Sequence, residues 1–221
     1  MTHFAIYDMD RTVTRHATYT PFLLHCALRR APWRLLLMTF VIASMLAYVA
    51  KLIDRAKLKE INHRLLLGHR RHPKDLKPLV DSFAERTVAS NVRPGARAAI
   101  ARDKAEGRRV VMATASYRLY AEAIADRLGF DDVIGTGSII GLDERVHARI
   151  DGENCYGPAK LRMVEDWLGK SGLARGHVRF YSDHASDAPV FEWSDEAVAV
   201  NPHDRLARLA AERGWQSEDW G

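Results

Sequence analysis

The 221-residue chain has only two cysteines, Cys26 and Cys155, far apart and without metal-ligand spacing. They speak against a disulfide framework and a zinc site, and they fit a reducing compartment. A secretory leader is not expected, because MTHFAIYDMD lacks a basic start and its apolar run is short. No internal repeat or low-complexity segment appears. The ten histidines form no ligand pattern; His63, His69 and His72 stand among charged residues, where solvated side chains are expected. Acids are scarce in one region. Between His25 and Asp75 three of them face eleven Lys/Arg, a local charge of +8, while 22 basic and 25 acidic residues elsewhere leave −3. All of the positive excess therefore belongs to one segment, which points to an anionic partner or substrate there. Interleaved aromatics are few in that segment, so single-stranded nucleic acid is a poor fit.

From Arg93 onward, short apolar runs alternate with helical patterns. Helices are expected near 94–105, 117–128, 159–168 and 203–213. Strands are expected at 108–114, 133–136, 177–183 and 196–200, with further strand-like character in RVHARI. The run at residues 3–7 is apolar throughout and suits a strand buried on both faces. This alternation predicts an α/β class: a Rossmann-like parallel sheet flanked by helices. Residues 15–90 read instead as an inserted all-helical cap, basic and partly apolar, between a core made of 1–14 and 91–221.

Within the insert, LLLMTFVIASMLAYVA (35–50) carries no charge. As one helix it would be about 24 Å long, against a bilayer core of roughly 30 Å. Three readings stand open: a buried hairpin helix of the insert, a helix lying in a membrane interface aided by basic flanks, and a true span.

In open parallel sheets, function gathers at the carboxyl ends of strands. Those ends supply Asp8 and Asp10, then Thr114 and Ser116, then Asp183 and Asp187, with Lys160 at a helix start behind Gly157, Pro158 and Ala159. Clustered acids need a counter-ion, and oxygen ligands without His or Cys favour Mg²⁺ over zinc. Blander roles exist for several of these groups. Asp8 and Asp10 are good turn formers, Thr12 and Ser116 good helix caps, and Asp187 a good acid for a helix N-terminus.

DMDRT, TAS after a strand, the lone Lys160 and SDHASD resemble, in order, the four motifs of the haloacid-dehalogenase-like phosphohydrolases. The insert and NPHDRLARLAAERGW resemble the phosphoserine-phosphatase-like branch with its helical cap. The resemblance implies an Mg²⁺-dependent phosphomonoester hydrolase acting through an aspartyl-phosphate. Asp8 would be the nucleophile and Asp10 the general acid and base. Thr114 would hold a phosphoryl oxygen, and Lys160 would neutralise phosphate charge. The metal would lie at Asp8, Asp10 and Asp183, with Thr12, Arg11, Ser116 and Asp187 in support. Arg11 replaces a frequent Gly, and Thr-Ala-Ser replaces the Ser-Gly-Gly of phosphoserine phosphatases, which disfavours phosphoserine. FLLHCALRRAPWRLLLM resembles bacterial phosphatidylglycerophosphate phosphatases, chiefly in composition. A lipid phosphate uses both the apolar stretch and the basic surround, with the protein cytoplasmic and peripheral at the inner membrane face through residues 29–59. The alternatives are a small-metabolite phosphatase and a non-catalytic binding module using the basic cap.

Overall fold

The computed structural model describes all 221 residues, Met1–Gly221. Eight strands form one mixed sheet: β1 (Thr2–Tyr7), β2 (Arg70–Arg71), β3 (Arg109–Tyr117), β4 (Asp132–Ile140), β5 (Val146–Asp151), β6 (Arg175–Ser182), β7 (Glu196–Val200) and β8 (Gln216–Glu218). Their order is β2-β5-β4-β3-β1-β6-β7-β8. The six strands from β4 to β8 in this order run parallel, and β5 and β2 extend the edge antiparallel.

β1 lies at the centre, between β3 and β6. Its alternate side chains feed two cores, as strand geometry requires. Ala5 and Tyr7 join the larger cluster under α4 (Pro73–Ser90), α5 (Pro94–Ala105) and α6 (Arg118–Leu128). Phe4 and Ile6 join the cluster under α7 (Pro158–Ser171), α8 (Ala188–Trp193) and α9 (Asp204–Arg213). The apolar run Phe4–Tyr7 is therefore what the central position needs. The expected strands and helices appear, with β2 and β8 added; two or three residues are too few to show a period-2 pattern.

Between β1 and α5 lie α1 (Tyr19–Arg30), a 3-10 turn at Pro32–Leu37, α2 (Met38–Val49), α3 (Arg55–Leu66) and α4. The insert is not wholly helical, because Arg70 and Arg71 pair with His147 and Val146 of β5. Nor do residues 35–50 make one regular α-helix. The 3-10 stretch continues through Leu37 before α2 begins, and Arg34 donates to the carbonyls of Arg64 and Leu65 at the end of α3. In α2 only Val41 and Ser44 are buried, so the buried-hairpin reading is overturned. The stretch Pro32–Val49 is apolar and long enough to cross a membrane by length and composition alone. His63 also departs from expectation: it is buried, with neither ring nitrogen hydrogen-bonded, and its ring meets Tyr117 edge-on. It lies on the face of α3 that the core covers.

Candidate active site

β1 ends at Tyr7, and the Asp8 amide still donates to Tyr181 of β6. A tight turn then reverses the chain with Arg11 at φ 68°, a left-handed conformation that glycine adopts more easily. The turn brings Thr12 back beneath Asp8. The Thr12 hydroxyl lies 3.3 Å from Asp8 Oδ2 and 3.1 Å from Asp183 Oδ1, and it accepts from the Asp183 amide at 2.9 Å. Thr12 thus ties the first motif to the last rather than capping a helix.

Lys160 reaches the same point from α7. Gly157, at φ 59° and ψ −136°, admits the turn into that helix. The Lys160 ammonium is 2.8 Å from Asp8 Oδ1 and 2.6 Å from Asp187 Oδ2, with the side chain 2% exposed. Ser182 also donates to Asp187 Oδ2, while Asp187 Oδ1 is buried without a partner. Asp187 therefore belongs to the charge cluster, beyond any service to the short helix after it. Burial alone would lower Lys160, but Asp187 and Asp8 reverse that and leave it raised. Burial raises Asp8; Lys160 pulls it down, and Asp187 and Asp183 push it up again. Burial likewise raises Asp183, against the Thr12 hydrogen bond.

Asp10 faces another way. Its Oδ1 accepts from the amide and hydroxyl of Thr18, both at 2.7 Å, and its Oδ2 accepts from Ser116 at 2.7 Å. Tyr120 donates to Ser116 in turn. The reading of Ser116 as a helix cap is therefore overturned: α6 begins after Tyr117 without any side-chain cap. Thr114 is buried, and its hydroxyl accepts from the Ser116 amide. Arg11 is exposed at the rim, 3.5 Å from His203.

These groups line a cavity of about 450 Å³ roofed by the insert, with Tyr19, Tyr48, Arg55 and Lys59 on its walls, and His184 beside Asp183. Sequence reasoning missed the inward cations of the insert. Lys59 is buried and donates to the Ala115 carbonyl, between Thr114 and Ser116, and to Asn154 Oδ1 at 2.6 Å. Burial, then Arg55, lower its pKa to about 7. Arg55 lies over the Tyr156 ring. Among eleven cations in the basic segment, no local signal separates Lys59 from its solvated neighbours. Thr18 was missed for the same reason, since its partner Asp10 is eight residues away across a turn.

The donor set fits a hard divalent cation. Two carboxylates, Asp8 and Asp187, hold one ammonium, Asp183 joins Asp8 through the Thr12 hydroxyl, all donors are oxygen, and one buried oxygen of Asp187 is orphaned. No three His, Cys, Asp or Glu side chains are grouped to hold a metal by themselves. Mg²⁺ is commonly held by one or two carboxylates, with waters and substrate phosphate completing its shell. With Asp10 engaged by Thr18 and Ser116, the side-chain oxygens best placed for a cation are those of Asp8 and Asp183.

Phosphoserine phosphatase SerB1 of Mycobacterium tuberculosis is 31% identical over 146 residues, covering 66% of this chain and 47% of that protein. A histidinol-phosphatase of Neisseria meningitidis is 25% identical over 136 residues, covering 60% and 61%. The chain spans about half the length of the first curated relatives it matches. Its fold superposes on a protein of unknown function from Bordetella pertussis with TM-score 0.89, 24% identity and full coverage of both chains. The family model described as haloacid dehalogenase-like hydrolase matches residues 5–192, a stretch that holds every side chain converging on Lys160. The chain belongs to the haloacid dehalogenase-like hydrolases.

Proposed function

We propose that the protein is an Mg²⁺-dependent phosphomonoester hydrolase in which residues 1–14 and 91–221 carry the chemistry and the insert, 15–90, selects the substrate. The observation that carries this reading is the ammonium of Lys160 shared between Asp8 and Asp187, beside Asp183, on the wall of a cavity closed over by the insert. A carboxylate nucleophile approaching an anionic ester needs such positive charge.

In this reading an Asp8 oxygen attacks phosphorus and the bond to the ester oxygen breaks. Asp10, held by Thr18 and Ser116 on the cavity wall, protonates the departing alkoxide. The aspartyl-phosphate on Asp8 is then opened by water, whose proton Asp10 accepts, and inorganic phosphate leaves. Thr114 and the amides of its loop hold phosphoryl oxygens, while Lys160 keeps Asp8 ionised and balances phosphate charge. Asp8 and Asp183 would hold Mg²⁺, which when bound neutralises charge on the phosphoryl oxygens.

For the substrate, a lipid phosphate such as phosphatidylglycerophosphate is the reading we favour, with the protein at an anionic membrane surface. Tyr48, near the end of the exposed apolar helix α2, lines the cavity, so an apolar surface runs up to its mouth. Arg55 and Lys59, which line the cavity, suit a further anionic group on the same molecule. Those same polar walls favour the second reading, a small soluble phosphate ester. A retired site used only for binding has no need of an intact charge cluster.

Asp8→Asn tests the chemistry, because an amide cannot take the nucleophile's part. Hydrolysis of p-nitrophenyl phosphate should fall to background while circular dichroism stays native. Substantial turnover by the folded variant would sink the mechanism.

A further inference from the structure

From the 3-10 turn through α2 the chain exposes one apolar stripe. Trp33, Leu36, Phe40, Ile42, Leu46 and Val49 are exposed along it, with Leu52 in the turn just after, and Leu36, Val49 and Leu52 are each at least 75% exposed. The opposite side of α2 is fastened: Val41 is buried, and Ser44 donates to Asn62 of α3 at 2.8 Å. The apolar face therefore points outward from a helix already seated on the insert. The stretch Pro32–Val49 has the length and composition to cross a membrane, but Val41 and Ser44 fasten α2 to the insert, so it cannot thread a bilayer without leaving α3. Helices of this kind lie in the plane of the headgroups.

Charge selects the occupant. No Asp or Glu occurs from Arg11 to Ile53, and the stripe is flanked by Arg29 and Lys51, neither of which has an acidic partner. Two copies packed face to face about a two-fold axis would set Arg29 and Lys51 against like charges, with the nearby Asp54 already engaged as the N-cap of α3. Lipid phosphates answer them directly, since long basic side chains reach the headgroups while the stripe enters the acyl boundary.

We propose that residues 29–52 dock the protein on an anionic bilayer, with α2 in the headgroup layer and the cavity mouth at Tyr48 opening onto the lipid surface. The docking stands on the stripe and its charges; its use in presenting a lipid phosphate to Asp8 rests on the phosphatase reading above.

The test is sedimentation of the full chain with phosphatidylglycerol–phosphatidylcholine vesicles and with phosphatidylcholine alone, alongside turnover of soluble p-nitrophenyl phosphate. Wild type should bind the anionic vesicles at low salt and release as salt rises. Phe40→Glu with Leu46→Glu should weaken binding by at least about tenfold. Arg29→Glu with Lys51→Glu should weaken it by about fivefold or more for each charge. Turnover should be unchanged in both double variants. Wild type left in the supernatant with active turnover would overturn the docking alone. A lipid-independent dimer broken by Phe40→Glu with Leu46→Glu would assign the stripe to a second copy and also overturn it. Vesicle binding without any turnover would overturn the phosphatase reading and support the docking.

Discussion

Replacing His63 with leucine removes one titrating group from the interior of the insert. His63 is 1% exposed, and neither nitrogen has a hydrogen-bond partner. Burial, and secondarily His69, lower its pKa from 6.5 to about 4. Above pH 6.5 the imidazole is neutral in both folded and unfolded chains, so it confers no pH dependence there. As pH falls below 6.5 the unfolded chain takes up a proton that the folded chain refuses until about pH 4. Stability is therefore lost on acidification. At about 1.4 kcal/mol per pKa unit, the loss approaches about 3 kcal/mol by pH 4. Urea unfolding followed by circular dichroism from pH 7.5 to 4.5 measures this for wild type and His63→Leu. Other titrating groups are shared by the two proteins and largely cancel in the difference. That difference should move against wild type by about 2.5 kcal/mol over the range. A difference independent of pH would mean that His63 is solvated, and the packing of α3 against Tyr117 would be refuted with it.

Lys160→Met should strand the carboxylates of Asp8 and Asp187, costing about 3–5 kcal/mol near neutral pH and abolishing turnover. Because stranded acids take up protons in the folded state, the variant should lose stability as pH rises; a stability deficit constant across pH would contradict the ion-pair geometry. Chelation by EDTA should stop p-nitrophenyl phosphate hydrolysis and Mg²⁺ should restore it, with Asp183→Ala requiring more Mg²⁺. Activity indifferent to chelation, or restored only by zinc, would contradict a hard oxygen site.

The sequence alone was enough for the α/β core. FAIY and VVMA are apolar without interruption, the pattern that suits strands buried on both faces. The helix expected at 117–128 ends at Leu128, where Gly129 takes φ 78°. The acids and Lys160 were legible because each stands at a strand end or a helix start, places that periodicity alone can locate. The partners of these residues were not legible. Ser116 looks locally like a helix cap, and only the approach of Asp10 from 106 residues away makes it part of the site. Lys59, His63 and the apolar face of α2 show the same division. A helical repeat fixes which residues share a face, but whether that face meets core, cavity or solvent depends on the neighbours that the rest of the chain delivers. So the sequence by itself determined the elements and their chemistry-bearing ends, through local periodicity and capping. Tertiary structure decided which cations turned inward, which histidine lost its water and which apolar helix kept it, because burial belongs to contacts between segments distant in sequence.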